Sequence, residues 1–158
     1  MCLQRNPANI NKELVDIMVQ AKVGKICFAR FAENDDVAET IKKNAQENDV
    51  KAGAFIFIGA LKHAVLGCYK NGHYVNTELK GHMEIASCMG NIAVDEKGET
   101  IVHAHIVVSN EKGEAFGGHL MKDCLVGPTA ELVLIEAAGL KLQRAFDQET
   151  NLKLLKLG

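Results

Sequence analysis

The sequence IVHAHIVV, residues 101–108, decides how we interpret the second half of this chain. It is rich in β-branched residues and is typical of a strand. Because side chains alternate between the two faces of a strand, His103 and His105 point to the same face. The chain then passes a Gly-Gly pair at 117–118 and presents a third imidazole, His119. Because glycine lets backbones approach closely, we expect His119 to lie near the other two.

Three neutral imidazoles with room for a water molecule form the ligand set of an open zinc-type site. We therefore interpret His103, His105 and His119 as ligands of a divalent transition metal, with zinc as the first candidate. The alternative is that each imidazole is an ordinary hydrogen-bonded core or surface residue. The remaining three histidines form no such set and fit that alternative.

Two carboxylates are candidates for supporting roles at this site. Glu84 lies within the apolar strand predicted at residues 83–92, where burial of an isolated carboxylate is costly unless it is paired or hydrogen-bonded. Glu84 is the candidate general base toward a metal-bound water. The alternative, which we favour, is that it accepts hydrogen bonds from the backbone or the imidazoles. Asp123, which follows His119, is either a second such acceptor or a turn residue.

Length and composition indicate one globular domain. The chain has 158 residues, of which 47% are hydrophobic and 24% charged, and this excludes a disordered chain. Its formal net charge of −2 provides no general attraction to phosphate backbones. The sequence therefore argues against DNA binding by this chain alone.

The cysteines and the apolar runs indicate a cytoplasmic protein. Five cysteines are scattered without a CxxC pair, which favours reduced thiols over a disulfide framework. No apolar run approaches the length of a membrane span, and the N-terminus lacks the pattern of a signal peptide.

Turn signals and apolar periodicity predict two early helices and then a series of strands. One helix is capped by Asn9 and runs to about Ala21; the other begins at Asp35 or Asp36 and runs to about Gln46. The predicted strands are apolar segments between turn signals: residues 25–31, 52–66, 65–70, 74–79, 83–94, 101–108, 115–121 and 129–137.

This pattern predicts an α+β fold. We expect a compact single domain with a central, mainly antiparallel sheet flanked by helices. The predicted boundaries are an N-terminal helical extension over residues 1–22 and the main domain over residues 23–158. Within the sheet we expect a bend at Gly59, a tight hairpin at residues 71–72 and a bulge or close backbone contact at Gly90.

Four motifs resemble those of one known family. The segment GHMEIASCMGNI at 81–92 resembles the GxxEIxSxxGNI signature of the PPC domain, the plant and prokaryote conserved domain also called DUF296. VHAH at 102–105 and FGGHL at 116–120 match its HxH and GGHL stretches, and VGPTAE at 126–131 matches its VGxTAE stretch. The resemblance covers roughly residues 25–145 and is to the stand-alone prokaryotic type.

The resemblance implies a compact domain with a central antiparallel sheet that assembles as a homotrimer. In plants the domain follows AT-hook segments, which hold AT-rich DNA while the domain trimerises and recruits partners. Prokaryotic members resemble this chain in lacking an AT-hook and in carrying the three histidines as a metal site. One departure is Ala32, where relatives have the glycine of a Gly-Glu-Asp turn.

Three functions of different classes fit these observations. The first is a small oligomeric metal-binding domain with a binding or regulatory role. The second is a metal-dependent hydrolase or lyase that acts on a small molecule. The third is a DNA-associated protein that acts through an oligomer or a partner. We favour the first because nothing beyond the histidines specifies a substrate.

Overall fold

A computed structural model describes residues 18–157 of the chain. Their elements, in chain order, are β1 Lys22–Phe31, α1 Val37–Glu47, β2 Gly53–Lys70, β3 His73–Val94, β4 Thr100–Ser109, β5 Ala115–Leu120, β6 Leu125–Ala138, β7 Gln143–Asp147 and β8 Leu152–Lys156. Most of the helix predicted from Asn9 lies outside the described residues. Its last part, residues 18–21, is not helical.

All eight strands join one sheet in the order β1-β6-β2-β5-β4-β3-β7-β8, and β2 also pairs with β3. The pairings β2–β5, β5–β4, β4–β3 and β3–β2 therefore form a closed circuit. Strand partners are antiparallel except β3 and β7, which are parallel where Val94 meets Gln143. The sheet is thus mixed, although mainly antiparallel.

The prediction of a sheet flanked by helices is wrong. Residues 18–157 form a mainly β fold with α1 as the single helix. Because four strands curl into a closed circuit, the sheet encloses much of its own apolar surface, and one helix completes the core. That helix is neither long nor apolar enough to span a bilayer.

Helix α1 begins and packs as the sequence predicts. The Asp36 carboxylate caps it by accepting a hydrogen bond from the Glu39 backbone N–H at 3.0 Å. Val37, Ile41 and Ala45 recur at helical spacing on one face, and all three are buried. The helix therefore contributes this apolar face to the core.

Strand β2 forms the centre of the core and also contributes to an outer face. Phe55 and Phe57 are buried, whereas Ile56 and Ile58 between and beyond them are exposed. The Phe57 ring contacts Phe31 of β1, with ring centroids 4.9 Å apart. Alternation along one strand thus places aromatic rings inside and aliphatic side chains outside.

Two glycine-containing positions shape the long strands as expected. Gly59 has a φ of 131°, and the β2–β3 register shifts between Ile56 and Gly59, which confirms the predicted bend. Asn71 and Gly72 have φ of 52° and 82°, as a type I′ hairpin requires. The separate strands that we predict at 52–66 and 65–70 form the single strand β2, and those at 74–79 and 83–94 form β3.

The turn after β1 accommodates Ala32 without strain. The left-handed conformation falls on Asn34, with a φ of 73°, and Ala32 is outside that region. The Ala32 N–H donates to the Asp35 carboxylate at 2.9 Å. The substitution of alanine for the family's glycine is therefore compatible with the turn, because asparagine tolerates positive φ.

Candidate metal centre

Strands β4 and β5 bring the three predicted histidines together. His103 and His105 share one face of β4, while Ala104 and Ile106 are buried on the other face, as predicted. His105 and His119 are direct partners in the antiparallel register of β4 with β5. The pairing of β4 with β5 therefore makes the HxH and GGHL motifs neighbours in the sheet, although they are separated in sequence.

The three imidazoles form a compact cluster. One ring nitrogen from each of His103, His105 and His119 lies within 4.8 Å of the other two. No other group of three or more metal-ligating side chains exists among residues 18–157. His103 and His119 are half-buried, whereas His105 is exposed. The cluster is therefore open on one side.

Close backbone contacts at two glycines set the position of the cluster. A Cβ on Gly118 would lie 2.8 Å from the carbonyl oxygen of Gly67, where β5 pairs with β2 beside His119. A Cβ on Gly90 would lie 2.1 Å from the carbonyl oxygen of His103, where β3 pairs with β4. Only glycine permits both approaches without displacement of the neighbouring strand.

The surroundings keep the half-buried imidazoles neutral. Burial first, and then the neighbouring charges of His103, His105 and Arg144, lower the pKa of His119 to about 4. Burial, followed by the charges of Arg144 and His105, also lowers the pKa of His103. Neutral imidazole is the form that binds a metal.

His119 lacks a partner at one buried ring atom. Its Nδ1 is buried and has no hydrogen-bond partner among the described residues. The Tyr74 ring stacks on the imidazole, with centroids 4.7 Å apart and planes inclined by 25°. A buried nitrogen without a hydrogen bond is costly unless it binds something else. The donor set and this atom both fit a metal ion.

Arg144 of β7 lies against the cluster and was not anticipated from the sequence. Its Nη2 donates to His103 Nδ1 at 2.9 Å and to Asn91 Oδ1 at 3.1 Å, and its Nη1 donates to the Lys153 carbonyl at 2.9 Å. The residue is only 7% exposed. The sequence does offer one signal for it. Arg144 lies among the apolar residues Leu142 and Ala145, which indicates a buried position, and arginine is seldom buried without a role.

A cavity of about 230 Å³ opens beside the cluster. Tyr74, His103, His119, Arg144 and Lys153 contribute to its wall, together with aliphatic side chains of β4 and β8. Two of the three clustered histidines thus face a space that is large enough for a small molecule. This is the place where a ligand would meet the imidazoles.

The two predicted carboxylates lie outside the histidine cluster. Glu84 is exposed on β3, opposite Ser109, and our expectation that it is buried is wrong. A register shift between Ile85 and Ser87 lies between it and the Met89–His105 pair. The sequence pattern could not show this, because an apolar strand can present single residues to solvent.

Asp123 has the turn role that was the alternative prediction. It has a φ of 68°, and its backbone N–H donates to the Asp36 carboxylate at 2.7 Å. Its carbonyl accepts from His63 Nδ1 at 2.5 Å, while His63 Nε2 contacts the Glu78 carboxylate at 2.8 Å. Asp123 therefore links β2 to the start of α1.

The buried cysteines are not reactive groups. Burial raises the pKa of the Cys88 thiol to about 12 and that of Cys124 to about 11. Because the thiolate is the nucleophile and the metal ligand, both thiols behave as small apolar side chains. The cysteines of the described residues form no disulfide.

Comparisons with known proteins identify one family. The family described as the Plants and Prokaryotes Conserved (PCC) domain, named PPC above, matches residues 18–138. A PPC protein of Pyrococcus horikoshii is 28% identical, with a TM-score of 0.81 over 90% of this chain and 99% of that chain. A metal-containing protein of Archaeoglobus fulgidus is 29% identical, with a TM-score of 0.80 over 89% of this chain and all of that chain.

A longer protein contains a similar segment. The bifunctional protein GlmU of Synechococcus sp. (strain JA-2-3B'a(2-13)) is 28% identical over 128 residues. These residues are 80% of this chain but only 19% of the GlmU sequence. This chain thus spans about a fifth of the length of the curated relatives that it matches.

Proposed function

This chain belongs to the Plants and Prokaryotes Conserved domain family, and we propose that it is a metal-binding domain with a binding or regulatory role. His103, His105 and His119 would hold a divalent transition metal, with zinc as the best fit to three imidazoles. The observation that carries this proposal is the approach of three ring nitrogens to within 4.8 Å of one another. The metal-containing relative from Archaeoglobus fulgidus supports it.

The cluster fits an open site better than a closed structural one. Zinc held by three imidazoles keeps a fourth position for water or a ligand and lowers the pKa of bound water to about 7. The exposed side of His105 and the cavity beside His103 and His119 leave room for that fourth group. We therefore propose that the protein binds a ligand at this site.

A metal-dependent hydrolase or lyase is the second candidate. The cavity of about 230 Å³ favours it, because it accommodates a small substrate beside the cluster. The position of Glu84 counts against it, since this candidate base is exposed and outside the cluster. Binding without turnover is therefore the better proposal.

Metal analysis of the untagged protein tests the proposed function. We expect about one zinc or similar ion per chain, and loss of that ion in the His103→Ala/His105→Ala double variant. His73→Ala is the matched control, because His73 is exposed at the hairpin and should leave the metal content unchanged. Absence of metal from the wild-type protein after incubation with zinc would refute the metal site.

We also propose that the chain assembles as a homotrimer. Support comes from large apolar side chains on the outer face of the sheet, including Phe28 (78% exposed), Ile56 and Ile58. Contiguous apolar surface of this kind marks a protein interface. Sedimentation should give about three times the chain mass of 17.2 kDa. A mass of one chain would refute the assembly.

A further inference from the structure

We propose that the Arg144 guanidinium binds the anionic end of a small carboxylate or phosphate ligand beside the metal. We further propose that metal binding at His103 releases Arg144 for this contact. The inference rests on the proposed metal site and adds the chemical class of its ligand. Three observations carry it. Arg144 has no counter-charge among the described residues, His103 has only one acceptor nitrogen, and both residues line the same cavity.

Arg144 is a buried cation whose hydrogen-bond acceptors among the described residues are all neutral. Its three hydrogen-bond acceptors are the Lys153 carbonyl, the Asn91 side-chain amide oxygen and His103 Nδ1. None of the ion pairs found among residues 18–157 includes Arg144. Its Nε is buried and has no hydrogen-bond partner among the described residues. A buried cation without a counter-charge is costly, so this arrangement favours an anion.

His103 cannot accept from Arg144 and bind a metal at the same time. A neutral imidazole has one acceptor nitrogen and one N–H. Because Nδ1 accepts from Arg144 Nη2, Nε2 carries the proton and has no free lone pair. Metal binding through Nε2 would place the proton on Nδ1, and binding through Nδ1 would use the same lone pair. In both cases Arg144 loses this hydrogen bond.

The freed N–H group lies where a ligand would bind. Arg144, His103 and His119 contribute to one cavity of about 230 Å³, smaller than the pockets of roughly 300–1,000 Å³ that take drug-sized ligands. The planar guanidinium matches a carboxylate or phosphate through paired hydrogen bonds. Lys153 also contributes to the wall, but its Nζ is paired with Asp95 at 3.1 Å. Arg144 therefore supplies the uncompensated charge.

The consequence is positive coupling between metal and oxyanion. If metal binding frees Arg144, an oxyanion binds the loaded protein more tightly than the metal-free protein. By thermodynamic reciprocity the oxyanion then raises the affinity for the metal by the same factor. Coupling of this type is typically about 5- to 150-fold.

The test measures zinc affinity by chelator competition with and without acetate or inorganic phosphate. We expect either oxyanion to raise the zinc affinity of the wild-type protein by about fivefold or more. Arg144→Gln should still bind one zinc but lose the oxyanion effect. Arg30→Gln, which removes an exposed arginine of β1, should retain it. An effect of acetate alone identifies a carboxylate ligand, and an effect of phosphate alone a phosphate ligand.

Separate outcomes distinguish the two proposals. Zinc binding that neither oxyanion changes, or an oxyanion effect that persists in Arg144→Gln, overturns the role of Arg144 and leaves the metal site intact. Absence of zinc from the wild-type protein, measured before any oxyanion is added, overturns the proposed function itself. If Arg144→Gln does not fold, Arg144→Lys keeps the charge and should weaken the effect, because an ammonium lacks the planar pair of donors.

Discussion

Met89 lies directly opposite His105 in the antiparallel pairing of β3 with β4, and both side chains are exposed. Across the sheet, Met89 is also the partner of Ile56, which pairs with Val133, which pairs with Phe28. Because direct partners point to the same face, these residues form one row that leads to the histidine cluster. A subunit interface on this face would therefore border the metal site.

A charge in this row should separate the subunits. We expect Ile56→Glu to weaken assembly by about 2 kcal/mol or more per interface, since a buried carboxylate at a central contact is unpaired. Light scattering after size-exclusion chromatography measures the change in mass. Val75→Glu is the control, because Val75 is an equally exposed aliphatic residue toward the β2–β3 hairpin. Equal masses for Ile56→Glu and the wild-type protein would contradict the interface.

The second glycine of the GGHL motif should control metal affinity. A Cβ at position 118 meets a backbone oxygen at 2.8 Å, whereas a Cβ at position 117 first meets a Val107 methyl group at 3.1 Å. Gly118→Ala therefore has to displace β5, which carries His119, while Gly117→Ala requires a smaller adjustment, because the nearest backbone atom, the Ile106 carbonyl oxygen, is 3.3 Å from its Cβ. We expect zinc affinity to fall about tenfold or more in Gly118→Ala, the scale seen when support of a metal ligand is disturbed. Equal affinities in the two variants, by chelator competition, would argue against this constraint.

Gly90 should be necessary for stability as well as for site geometry. Its added Cβ would meet the His103 carbonyl at 2.1 Å and the Phe55 ring at 2.8 Å. We expect Gly90→Ala to lower the free energy of unfolding by about 1–3 kcal/mol, as overpacking does. Gly127→Ala is the control, since its Cβ comes no closer than 3.4 Å to any neighbour. Urea unfolding of both variants measures the difference, and a wild-type value for Gly90→Ala would refute the close contact.

His63 should make stability depend on pH. Its two ring nitrogens face acceptors, the Asp123 carbonyl and the Glu78 carboxylate, so only the protonated ring satisfies both. The hydrogen bond to Glu78 is the main cause that raises the pKa of His63 above 6.5, and the bond to Asp123 adds to it. The contact with His63, and then with Lys80, lowers the pKa of Glu78 below 4.5.

The directions of the His63 and Glu78 pKa shifts define the pH range in which this pair stabilises the fold. A raised histidine pKa gives stability that is complete below pH 6.5 and is lost as the pH rises through the folded-state pKa. A lowered glutamate pKa gives stability that is complete above pH 4.5 and is lost as the pH falls. We therefore expect His63→Gln to cost more stability at about pH 5.5 than at about pH 8.5. His73→Gln is the control, and an equal loss at both pH values would refute the ion pair.

Local patterns in the sequence determined much of the fold and the identity of the cluster. Alternation along residues 101–108 placed His103 and His105 on one face, because a strand has a period of two wherever it pairs. The Asn71-Gly72 hairpin and the cap at Asp36 likewise follow from the conformations that single residues favour. These features need only neighbours in sequence.

Only the tertiary structure decided how distant segments meet. It placed Arg144 beside His103, although 41 residues separate them, and it exposed Glu84 on a strand that reads as apolar. It also curled the sheet into a closed circuit, so that one helix was enough to complete the core. Register, strand order and the exposed face depend on all eight strands at once, because each hydrogen-bonded pairing constrains the next. No local pattern in the sequence contains that information.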